Sequence, residues 1–118
     1  MLLFKPLAIV ESPYAGEVER NVWYARRAVR HALGLGYAPI ASHLLYTQPG
    51  ILDDLIPEER QWGIDAGLAW GRVADVSLFF TDYGWSRGME YGKANAEKAG
   101  REIIEFTIGL NPVSAWPA

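Results

Sequence analysis

The chain alternates short apolar runs with longer stretches in which apolar residues recur every three or four positions. Leu7 to Val10 is a compact apolar run and reads as a first buried strand. It ends at Ser12-Pro13-Tyr14-Ala15-Gly16, a turn-rich segment. From Glu17 to Leu35 the residues Val18, Val22, Ala25, Val29 and Leu33 are spaced by four, three, four and four, which predicts a helix with one apolar stripe. Glu17 and Glu19 in its first turn suit the helix dipole, and Gly36 suits the position just past its end.

Ala38 to Ser42 predicts a second short strand, followed by a long connection over residues 43–56 that contains Pro49-Gly50. A connection of that length in a compact domain usually carries function. Pro57-Glu58-Glu59-Arg60 opens a second helix that runs to about Arg72, with proline in the first turn and acids behind it. Val76 to Phe80 is apolar almost throughout, as a strand covered on both faces should be. Residues 81–85 form a loop, Ser86 or a neighbour caps a third helix ending near Ala99, and Gly100 stops it. Ile103 to Phe106 is the fourth strand, and residues 107–118 form an irregular tail.

Strand and helix therefore alternate over the whole of residues 1–118. This order predicts a single α/β domain, Rossmann-like, with three layers around a short parallel sheet of four to five strands. Ligands in such sheets sit at the carboxyl ends of the strands. The connections 11–17, 43–56 and 81–88 meet there, and they hold the unusual residues of the chain.

Composition narrows the classes. A net charge of −3 argues against nucleic acid as a partner, since that needs a basic surface. The absence of cysteine excludes disulfides, thiolate catalysis and zinc–sulfur sites, and fits a reducing compartment. No apolar run approaches the roughly 18 residues of a membrane span, and Lys5 and Pro6 interrupt the apolar start, so no signal peptide and no membrane association are expected. The expected location is the cytoplasm. With 5 tryptophans and 6 tyrosines, the chain has aromatic side chains for core, subunit interface and stacking on a planar ligand.

The third loop carries the most chemistry. In Ser86-Arg87-Gly88-Met89-Glu90, Gly88 lets a ligand approach the backbone, and the free N–H groups of a helix start attract an anion. Glu90 lies in the first helical turn, where the dipole favours the ionised form that a carboxylate nucleophile needs; glutamates are also common there for structural reasons alone. Ser12, Tyr14 and Gly16 form a turn after the first strand, where sugars and phosphates often dock, although the segment is neither a dinucleotide fingerprint nor a P-loop. His43 follows a strand and can contact a ligand or simply donate a structural hydrogen bond. Of Asp53 and Asp54, one can hold a sugar hydroxyl and the other act as an acid or base. Asp82 stands at the end of the third strand. His31 and His43 have no metal-ligand spacing, so neither a metal nor another cofactor is expected.

Ser86-x-Gly88-Met89-Glu90-x-Gly92-x-Ala94 resembles the nucleophile motif of nucleoside 2-deoxyribosyltransferases and related nucleotide N-glycosidases. The first loop resembles their first-loop motif. A closer resemblance is to a small branch found in phages and bacteria. Ser12 through Asn21, Pro39-Ile40 with His43-Leu44, Leu52-Asp53-Asp54, Pro57 to Arg60, and Ser86 through Met89 carry it, in order. The resemblance spans about residues 7–106. It implies that Glu90 attacks the anomeric carbon of a nucleoside or nucleoside monophosphate while an acid protonates the base. The resemblance assigns no residue to that acid, and Asp53 or Asp54 substitutes for it, with Asp54 the catalytic candidate. Ser12, Tyr14, Gly16, His43, Asp53, Asp82, Ser86 and Gly88 would then bind substrate. It also implies a homodimer or higher homo-oligomer with sites completed across the interface.

The chain departs from that pattern in several places. Gly84 stands where the transferases carry an aspartate, with Asp82 two residues earlier, and Gly67 stands at a second such position, with Asp65 nearby. In the closer branch a glutamate often sits two residues after the position of Glu90, and here that residue is Gly92. The first loop also lacks an arginine found in several monophosphate hydrolases. The alternative expectation is therefore a non-catalytic protein that sequesters a nucleotide or a ribose-containing signal, as in phage counter-defence.

Overall fold

The expected alternation is realised over residues 4–109, which the computed structural model describes. In chain order the elements are β1 (Leu7–Glu11), α1 (Val18–Gly34), β2 (Ala38–Ile40), α2 (Ser42–Leu45), α3 (Pro57–Gly71), β3 (Val76–Phe80), α4 (Arg87–Lys98) and β4 (Glu102–Phe106). The four strands form one sheet, all parallel, in the order β2-β1-β3-β4. The chain thus leaves β1 toward one edge and leaves β3 toward the other. The crevice between the carboxyl ends of β1 and β3 is the topological switch point of the sheet.

The register places Ala8 beside Val76 and Val10 beside Leu78. Side chains alternate across a strand, so these residues and Phe80 share one face. They pack with Tyr24, Ala28 and Ala32 of α1 into the buried core, which Ile104 and Phe106 of β4 extend. The opposite face carries Glu11, Ser77 and Phe79. There Phe79 stacks on Trp85, and the Arg101 guanidinium bonds both Ser77 Oγ and the Gly71 carbonyl at the end of α3. Helices therefore cover both faces, α1 on one and α3 and α4 on the other.

Three expectations need correction. The core stripe of α1 is Asn21, Tyr24, Ala25, Ala28 and Ala32, whereas Val18 and Leu33 are exposed. Small alanines let the helix approach the sheet closely, and the larger valines flank the contact. The second strand stops at Ile40, and Ser42 opens the short α2 inside what reads as a loop. The helix stops hold as expected. Gly36 and Gly100 adopt positive φ, and the Tyr37 and Arg101 amides reach back to the Ala32 and Ala96 carbonyls at 3.1 and 2.9 Å. Of the irregular tail, residues 110–118 lie outside the described residues.

Candidate active site at the carboxyl ends of the strands

The first loop is held from α1. Asn21, buried in the first full turn, donates from Nδ2 to the Tyr14 carbonyl at 2.9 Å and the Ala15 carbonyl at 3.2 Å. Gly16 then turns the chain at φ +92°, a conformation that other residues rarely adopt, and helix α1 begins. This clamp fixes Ser12 and Tyr14 relative to the sheet. Ser12 is only 7% exposed, and its Oγ has no hydrogen-bond partner.

His43, in the α2 turn that follows β2, meets the same loop. Its ring lies 5.3 Å from that of Tyr14 at an angle of 49°. Its Nε2 is likewise buried without a partner, and desolvation lowers its pKa to about 4, so the imidazole is neutral at physiological pH. Two polar atoms are thus buried and unpaired, Ser12 Oγ in the first loop and Nε2 of the His43 ring that packs on Tyr14. Each such group costs roughly 1–3 kcal/mol of lost hydration.

Beyond Tyr14 opens a cleft of about 650 Å³, lined by Tyr14, Gly16, Pro49-Gly50 and the segment from Ile51 to Leu55. Asp53 and Asp54 both border it, with different duties. Asp53 shapes the turn: its Oδ1 accepts the Leu55 amide at 2.9 Å, and its own amide donates to Glu59 Oε1 at 2.8 Å. Asp54 lines the cleft. Burial is the first cause that raises the Tyr14 hydroxyl pKa, and the charges of Asp54 and then Asp53 add to it.

The start of α4 is capped by Ser86, whose Oγ accepts the Met89 amide at 3.1 Å. Gly88 faces open space, where an added Cβ would come no closer than 3.9 Å to Ser86 Oγ. Met89, Gly92 and Ala96 form the face of α4 that meets the sheet. Glu90 is exposed and turned away from that face. Asp82 is engaged by other groups. Its Oδ1 accepts the Tyr24 hydroxyl at 2.5 Å and the Ile108 amide at 3.0 Å, and its Oδ2 accepts the Gly109 amide at 3.0 Å. Its own amide donates to the Tyr24 hydroxyl at 2.9 Å.

The structure thus brings Tyr14, Gly16, Asp53 and Asp54 to one cleft, with His43 packed behind Tyr14 and Ser12 buried two residues before it, neither of them lining the cleft. Ser86, Gly88 and Glu90 stand at the separate mouth of α4, and Asp82 is tied to α1 and the end of β4. Sequence reasoning missed Glu11. This last residue of β1 stands at the switch point, its carboxylate lying against Gly92 of α4. A Cβ at position 92 would sit 2.0 Å from Glu11 Oε2. Where the resembled branch often carries a glutamate on α4, the space at Gly92 is filled by a carboxylate from β1. Burial raises the Glu11 pKa to about 7, against the opposing pull of Arg101. A legible signal was present: one charge closing an otherwise apolar strand, Leu-Ala-Ile-Val-Glu.

Among the described residues no group of His, Asp and Glu is arranged to hold a metal ion, and no helix is long and apolar enough to cross a membrane. One protein-family model, described as a domain of unknown function (DUF7768), matches residues 6–106. No curated protein matches the chain.

Proposed function

The chain belongs to the DUF7768 family, and from its site we propose an N-glycosidase, or a deoxyribosyl transferase, that takes a nucleoside or nucleoside monophosphate and acts through a glutamate. The carrying observation is the pair of buried, unpaired atoms, Ser12 Oγ in the first loop and Nε2 of the His43 ring packed on Tyr14. A sugar hydroxyl or a ring nitrogen would restore the hydrogen bonds they lack, and Tyr14 offers a face to a planar base. Asp54 is the proposed acid on the leaving base. The N–H groups at Arg87 and Gly88 suit a 5′-phosphate.

Product analysis by mass spectrometry, after incubation with a panel of nucleosides and monophosphates, tests this reading. Release of a free base and a sugar product is expected. A second reading, sequestration without turnover, is favoured by the exposed outward position of Glu90. An unchanged nucleotide recovered from the denatured protein, with no base ever released, would establish that reading instead.

We also propose that a second copy covers α3. Gly63 and Gly67 lie toward Leu52 and Ser42, and Gly71 lies against Arg101, so glycines face the protein. Trp62, Trp70 and Val73 stand 69%, 48% and 59% exposed. Antiparallel pairing of two copies of α3 brings Glu58 at the acidic start of one toward Arg72 at the end of the other. A cytoplasmic setting suits the cysteine-free chain.

A further inference from the structure

Resting on the N-glycosidase reading, we propose that Glu11 is the carboxylate that activates the attacking water. Glu11 ends β1 at the switch point, the position at which a doubly wound sheet presents its reacting groups. Its carboxylate is packed against the Cα of Gly92, so α4 fixes its place, and only glycine leaves the room. The neighbouring Ser12 and the turn to Tyr14 bring the proposed ligand cleft next to it in the chain.

The surroundings are nearly apolar. Gly92 meets it from α4, and Phe79 stands beside it on β3. Arg101 is the charge that acts on it, but that guanidinium is already committed to Ser77 Oγ at 2.8 Å and to the Gly71 carbonyl at 2.8 Å. From α3, Gly71 lies against the Arg101 guanidinium and carries no charge. Glu105 of β4 lies one strand further along the same row, beyond Phe79, and accepts a hydrogen bond from Thr81. A carboxyl so placed is held between its two protonation states near neutral pH, the condition a general base requires.

In the step, the water oxygen bonds to the anomeric carbon and its proton passes to Glu11. The bond from that carbon to the base nitrogen breaks, and its electron pair goes to the nitrogen, which takes a proton from Asp54. Solvent then removes the proton from Glu11 and returns one to Asp54.

The test compares wild type, Glu11→Gln and Glu97→Gln on the substrate identified by product analysis, with nucleotide binding followed by the ligand-induced rise in Tm. Glu11→Gln should lose at least ~100-fold in kcat, in the range of general base catalysis, and keep the Tm rise. Glu97→Gln, at an exposed position of α4, should stay within about threefold of wild type. The wild-type kcat/KM should climb with pH through about 7 and level off above it. Turnover by Glu11→Gln at the wild-type rate, or a profile flat from about pH 5 to 9, overturns the assignment alone. A wild type that binds nucleotide but never releases base overturns the assignment together with the reading it rests on.

Discussion

The two faces of the sheet are built to different rules. On the α1 face, Ala8, Val10, Leu78 and Phe80 meet Tyr24, Ala28 and Ala32, and every one of these is essentially removed from solvent. On the other face the strands present the carboxylates of Glu11 and Glu105 beside Ser77, Phe79, Ile9 and Ile103, and one of the helices there, α3, turns glycines inward and tryptophans outward. The first face has what a stable core needs: close packing and no unpaired charge. The second keeps a charge near the switch point at an energetic cost. Stability is concentrated on one side of the sheet, and the proposed reactivity lies on the other.

Substitutions should separate the two. The largest effect is expected at Tyr24, fully buried and bonded to Asp82. Tyr24→Ala should cost about 3–5 kcal/mol in chemical denaturation, enough to unfold much of a marginal domain. On the opposite face Gly92→Ala should change stability by only about 1 kcal/mol, because the helix propensity gained by alanine offsets the displacement of Glu11. Base release by that variant should nevertheless collapse, because the new Cβ takes the place of the Glu11 carboxylate. Equal losses of stability at both positions would erase the distinction.

Glu11 and His43 give opposite pH signatures. Glu11 has a folded pKa near 7, above the ordinary 4.5, so its contribution is fully present at low pH and is lost as pH rises through about 7. Glu11→Gln should therefore gain several degrees of Tm over wild type at pH 8 and little at pH 4. His43 has a folded pKa near 4, below the ordinary 6.5, so its contribution is present above 6.5 and is lost as pH falls toward 4. A His43→Gln variant should lack that acid-side fall. The smallest effect is expected at the α3 surface. Trp62→Ala and Trp70→Ala should leave monomer stability within about 0.5 kcal/mol. They should also shift the sedimentation profile from dimer to monomer, and an unchanged profile would remove α3 as the contact.

Much of this was readable from residue order. The β3 run from Val76 to Phe80 matched its strand to the residue, because a strand buried on both faces leaves an unbroken apolar signature. The stripe on α1 was misread because the contact uses alanines, whose weak apolar signal is outweighed by nearby valines, and because Asn21 is buried for its bonds to the first loop. The cleft residues were legible as turn and acid motifs. Glu11 was not, since nothing local tells that a strand-end carboxylate will come to lie under a helix eighty residues away in sequence. What announces it, the missing side chain at Gly92, becomes informative only when the two segments are brought together.

The most direct test of the division between the faces is a titration of the ¹⁵N-labelled protein with nucleoside monophosphates, followed by amide chemical shifts. The account predicts that Ser12, Tyr14, His43, Asp54 and Gly88 move together and saturably, while Trp62 and Trp70 of α3 stay still. Shifts confined to α3, or none at the carboxyl ends of the strands with any nucleotide, would contradict it.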